Sequence, residues 1–136
     1  MYPSHSSKKK SNSSYSIDFV SGWIVRQFSG DFNPLHSHPN CQLASVGYIE
    51  LPEWDREIKE DEMDDYPRVG HLEITHGVPM QFSNTSMVIK PEVGDYYVFP
   101  SYLLHTVYPF KTKGERRSIS INMIVQKKSP SGAFNF

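Results

Sequence analysis

The chain has 136 residues, 38% of them hydrophobic and 13% aromatic, with one cysteine and a formal net charge of −1. That length suits one domain with a real core and leaves little room for a second, and near-zero charge argues against bulk attraction to nucleic acid or to an anionic membrane. Cys41 stands alone, which excludes an intrachain disulfide, and no apolar run approaches the roughly 20 residues of a membrane span.

Residues 1–14 are Ser-rich and basic, and are expected to form a disordered leader ahead of a single domain over residues 15–136. No apolar segment follows Lys8, Lys9 and Lys10 to make a signal peptide, so a cytoplasmic protein is expected. From Tyr15 the chain turns to short β-prone runs: Tyr15–Val20, Trp23–Phe28 and Leu43–Leu51 come first. Gly70–Thr75, Ser86–Lys90, Asp95–Pro100, His105–Phe110 and Arg117–Val125 follow. All are strand-length, rich in Val, Ile, Tyr and Phe, and separated by breakers such as Lys90–Asp95 and Lys113–Glu115. The one helical candidate, Glu53–Asp65, sets eight acids against Arg56 and Lys59. Its apolar Trp54, Ile58 and Met63 are sparse, which predicts a solvated acidic loop or a single exposed helix. Eight short strands without a repeated helical pattern predict an all-β antiparallel sandwich or barrel, best matched by a jelly roll.

Two histidines, His36 and His38, sit two apart before Pro39 and Asn40. On an extended strand such residues point to one face, and imidazole is the commonest ligand for divalent iron, zinc and copper. Taken alone the pair is a weak metal signal and reads better as a polar strand end or turn, given Pro39 and Asn40. Downstream, Gly94–Phe110 carries Pro100 and His105 in what reads as a β-hairpin with a bulky aromatic frame. A third histidine from that distant strand would complete a facial triad with open positions, the arrangement catalytic non-haem iron needs. Tyr97, Phe99, Tyr102 and Leu104 are expected to shape a dry pocket there. His71 and His76 read as surface or supporting residues, and His5 as a solvated one.

The run Arg116–Asn122 alternates so that Arg116, Ser118, Ser120 and Asn122 share one strand face. A guanidinium and a hydroxyl two apart on an inward face form a carboxylate receptor; the alternative is an edge strand with its polar face in water. Arg117 would then meet the Ile119 and Ile121 face or snorkel past it.

Taken together, HSHPNCQLASVGYIELP, GHLEI, KPEVGDYYVFPSYLLHTVYPF and GERRSISIN resemble the 2-oxoglutarate/Fe(II)-dependent oxygenases of phages and marine bacteria over about residues 21–125. The resemblance implies a cupin-like double-stranded β-helix holding Fe(II), with 2-oxoglutarate and O2 as co-substrates. It makes His36, His38 and His105 the metal-ligand and catalytic candidates. Arg116 matches the residue that grips the distal carboxylate, Ser118 lies beside it, Tyr48 falls where related oxygenases place a carboxylate-bonding tyrosine, and Asn122 is a supporting candidate. Most of the wider superfamily uses His-x-Asp/Glu; here His38, or Asn40 in a shifted register, fills the carboxylate slot, and Gln42 stands where cupins carry a Glu. Asp31 and Glu50 are the acidic substitutes within the same stretch.

The implied activity is hydroxylation of an unidentified substrate with release of succinate and CO2. A peptide or protein partner, basic if it meets the acidic segment, is expected to bind there or at the Thr75–Ser86 loop, and a homodimer is compatible with the chain. The competing functions are a cupin-like metalloenzyme without 2-oxoglutarate, which would be indifferent to Arg116, and a non-catalytic phage jelly-roll module, which would tolerate loss of His105.

Overall fold

The computed structural model describes residues 14–61 and 68–128. Its elements are β1 (Ser14–Gln27), β2 (Asn33–His36), β3 (Leu43–Glu50), α1 (Asp55–Asp61), β4 (Leu72–Thr75), β5 (Ser86–Ile89), β6 (Tyr96–Pro100), β7 (Leu104–Val107) and β8 (Arg116–Lys128). They pair antiparallel in two four-stranded sheets, ordered β1-β8-β3-β6 and β2-β7-β4-β5. The chain changes sheet at every connection except β4–β5, and that alternation makes a jelly roll, the double-stranded β-helix. No described helix is long and apolar enough to cross a membrane.

Three expectations change in the structure. The first two expected strands are one, because a bulge between Phe19 and Ser21 absorbs an extra residue and lets β1 pair with β8 along its whole length. β2 is a strand that the sequence hides: it has four residues and contains Pro34, which is tolerated because β2 lies at a sheet edge. The expected hairpin from Gly94 to Phe110 is absent, since β6 and β7 belong to different sheets. The expected leader lies outside the described residues apart from Ser14, which opens β1.

The alternation of β8 runs opposite to that of an ordinary sandwich strand. Arg116 and Ser118 face inward and are buried, while Arg117, Ile119 and Ile121 occupy the other face. Across β8, Gln27 sits opposite Arg116, and both Val25 and Tyr48 sit opposite Ser118. The space between the sheets is therefore lined by hydrogen-bonding groups as well as apolar ones.

Much of the tight apolar packing lies instead in a cluster of Trp54, Ile58, Val69 and Phe110, with Leu51 against it. Here the acidic segment departs from expectation in part. It forms a short helix that is mostly exposed, but one anchored to the core, because Trp54 at its start and Ile58 on α1 are 3% and 6% exposed. Trp54 meets Phe110 edge-on at 5.4 Å between centroids, and Glu57 accepts hydrogen bonds from the Lys111 and Thr112 amides, both at 2.7 Å. Met63 lies outside the described residues.

Gly70 joins this cluster to the sandwich. Its φ is +61°, and a Cβ there would stand 2.1 Å from the Trp54 ring. Its carbonyl accepts from Arg116 Nη1 at 2.8 Å. Gly70→Ala must therefore strain the backbone and push out a buried indole, an expected loss of roughly 2–4 kcal/mol in a urea titration. A variant within about 0.5 kcal/mol of the parent would contradict this packing.

Candidate functional site

β2 and β7 pair so that His36 stands directly opposite His105, which brings their rings to 4.2 Å between centroids. His38 lies just beyond β2. Its amide donates to Ser101 O at 3.0 Å, and the chain then turns through Asn40 at φ 63°, a left-handed position that asparagine tolerates. Ser101 holds that turn a second time, its hydroxyl donating to Cys41 O at 2.6 Å. The same-face logic of two histidines two apart is satisfied by this pinned turn rather than by a strand.

The result is a compact triad. His36, His38 and His105 each offer a ring nitrogen, and these atoms all lie within 4.8 Å of one another. His105 Nδ1 contacts Leu103 O at 3.0 Å and His36 Nδ1 contacts Pro34 O at 2.7 Å. A carbonyl can only accept, so Nδ1 carries the proton in both rings and each Nε2 is left with a lone pair, the tautomer that binds metal. His38 Nε2 lies 3.2 Å from His105 Nε2. The His105 pKa is lowered to about 4, chiefly by burial, with the Leu103 hydrogen bond opposing and the nearby His36 and His38 adding to the fall. His38 is also pushed down, by burial and then by His36, with Asn122 opposing. Three imidazole nitrogens converging within 4.8 Å suit a divalent cation.

Deeper in the same pocket stand Tyr48, Arg116 and Ser118. Arg116 is 1% exposed, and no carboxylate pairs with it among the described residues. Its Nε and Nη2 donate to Gln27 Oε1, and Nη1 donates to Gly70 O and, at 3.5 Å, to Tyr108 O. Burial pulls its pKa down to about 10, against the attraction of Tyr48 and Asp31, so it remains a cation at neutral pH. The Tyr48 hydroxyl is buried with no hydrogen-bond partner among the described residues, and burial raises its pKa to about 12, so it remains a proton donor at neutral pH. A buried cation without an ion-pair partner beside an orphaned hydroxyl has the chemistry to receive an anion.

The other sequence candidates separate cleanly. Arg117 points away and pairs with Glu50 and Glu115, which answers which arginine faces inward and takes Glu50 out of the site. Asp31 caps a turn at the Phe28 amide, Gln42 accepts from the Val125 amide, and Asn40 shapes the turn, so none joins the triad. Asn122 neighbours His38 but does not line the pocket, and its Oδ1 is buried with no hydrogen bond of normal geometry. Of the four expected pocket-shaping residues only Phe99 lines this pocket, with its ring edge-on to His105 at 4.9 Å; Tyr102 and Leu104 are exposed. His71 is buried and bonded to Val69 O, and His76 is exposed. Several lining residues escape sequence reasoning, among them Trp23, stacked on His38 at 5.7 Å, and Gln27. Both share an inward face of β1 with Val25, an alternation that a β1–β8 pairing would have exposed.

A family model described as "Putative 2OG-Fe(II) oxygenase" matches residues 21–122. The chain belongs to this family. No curated protein shows significant similarity to it. The triad and the anion receptor both fall inside the matched span, and they fit the Fe(II) and 2-oxoglutarate that the family description implies.

Binding of one divalent ion at the triad is expected to quench Trp23, because its indole stacks on a ligand ring, and to leave the buried Trp54 emission unchanged. Titrating Fe(II) or Co(II) without oxygen should therefore give a saturable 1:1 quench that is absent in Trp23→Phe, and loss of metal binding in His105→Ala. Undiminished stoichiometric binding by His105→Ala would place the ion elsewhere.

Proposed function

We propose that this chain is an Fe(II)- and 2-oxoglutarate-dependent dioxygenase that hydroxylates a C–H bond of its substrate. The observation that carries the proposal is the buried, carboxylate-free Arg116 beside the unpartnered Tyr48 hydroxyl, in one pocket with three metal-ready histidines. When bound, Fe(II) with 2-oxoglutarate and O2 supplies the oxidising chemistry, and the keto acid leaves as succinate and CO2.

In this proposal His36, His38 and His105 hold the metal, and the Leu103 and Pro34 carbonyls fix the tautomers of His105 and His36. Arg116 takes the far carboxylate of 2-oxoglutarate, with the Tyr48 and Ser118 hydroxyls beside it, and Asn122 steadies His38. Phe99 and Trp23 exclude water from two sides of the triad. A cupin-like metalloenzyme without a keto-acid co-substrate would have no use for a desolvated guanidinium, whose burial is costly unless an anion arrives. Of the acidic segment expected to meet a basic partner, Glu57 is committed to the Lys111–Thr112 backbone and Asp55 and Glu60 form exposed pairs with Lys90 and Arg56, while residues 62–65 lie outside the described residues.

Fe(II) followed by 2-oxoglutarate, without oxygen, should give a weak visible charge-transfer band that needs both additions and is lost in Arg116→Ala and His105→Ala. Metal binding with no response to 2-oxoglutarate would reject the proposal. Tyr48→Phe separates binding from folding. It should weaken 2-oxoglutarate about tenfold, yet leave the denaturation midpoint equal or higher, because it removes a buried hydroxyl that has no partner.

A further inference from the structure

Gln27 occupies an unusual place. It is 5% exposed at the end of β1, directly opposite Arg116, and a single oxygen, Oε1, accepts from both Nε and Nη2 of the guanidinium. Its own Nε2 donates to Asn33 Oδ1 at 3.3 Å, and Asn33 opens the strand that ends in His36. The forked Nε/Nη2 face of arginine matches a carboxylate, and an Asp or Glu at this position would normally take it. Here a neutral amide does so. With Gly70 and Tyr108 also accepting, one Nη2 hydrogen is left uncommitted.

We infer that Gln27 is a positioning and specificity-determining residue for the carboxylate co-substrate: it fixes the guanidinium by hydrogen bonds while leaving its positive charge uncompensated for an incoming anion. The inference rests on the proposed function, since it assigns how the receptor at Arg116 is kept open. It also explains why burial of this cation is tolerated without a partner carboxylate. The amide and two backbone carbonyls satisfy most of its hydrogens, and none of them cancels its charge.

Two substitutions of similar size distinguish charge from hydrogen bonding. Gln27→Glu keeps both hydrogen bonds and adds the missing carboxylate, so Arg116 becomes internally paired. Gln27→Met removes the hydrogen bonds and adds no charge. The quantity read is the 2-oxoglutarate concentration that half-develops the visible band in the anaerobic Fe(II) protein. Gln27→Glu is expected to raise it at least about 30-fold and Gln27→Met by only about 3- to 10-fold, with Fe(II) affinity unchanged in both. A merely structural amide predicts the reverse order, because Glu preserves the two contacts from Arg116 that Met loses, while both lose the donation to Asn33 Oδ1. Glu binding 2-oxoglutarate as tightly as Met, or more tightly, would therefore overturn the inference. Should Gln27→Glu fail to fold, Asn33→Asp places the same charge one hydrogen bond further out. It should weaken 2-oxoglutarate by at least about threefold, and unchanged affinity there would equally overturn the inference. Failure of the parent protein to bind 2-oxoglutarate at all would instead reject the proposed function.

Discussion

A buried positive charge that forms no ion pair among the described residues is the constraint around which this site is arranged. Desolvating a guanidinium costs several kcal/mol unless its hydrogens are satisfied, and Arg116 is 1% exposed. The fold meets the cost with acceptors drawn from three separate segments: Gln27 at the end of β1, Gly70 before β4, and Tyr108 after β7. Those segments converge only when both sheets and the Trp54 cluster are in place. The receptor is thus a product of the tertiary structure, and its geometry is fixed before any ligand arrives.

The histidine triad adds no charge of its own. Three neutral imidazoles around a dication, with a guanidinium further down the same pocket, create a strongly cationic cavity once metal enters. A dianion that bridges the two ends would neutralise most of it. Under the proposed function metal and dicarboxylate are therefore expected to favour one another's binding, and a three-histidine site would depend on its co-substrate for charge balance more than a His-Asp-His site does.

Some of this was legible in the sequence. The alternation of Arg116, Ser118, Ser120 and Asn122 identifies an inward polar face, because strand periodicity is strict and needs no knowledge of partners. The triad was half legible. The spacing of His36 and His38 puts them together, but the link to His105 depends on the register of β2 against β7, and β2 is too short and too proline-marked to read as a strand. Gln27 could not be singled out, since its meaning lies in a residue 89 positions away. The Trp54 cluster was missed for a related reason. A seven-residue helix shows too little periodicity to reveal its apolar side, and its partners Val69 and Phe110 come from distant connections.

Gly70 gives the architecture a mechanical consequence. One face of this residue is pressed by the Trp54 ring, and its carbonyl grips Arg116, so the helix-side cluster and the guanidinium act in series through a single peptide unit. Whatever draws Arg116 toward the pocket also draws on the carbonyl of Gly70, and through it on the indole and on α1. If the cavity is filled as proposed, this series of contacts is expected to reach α1 as a change in how often its amides open to solvent.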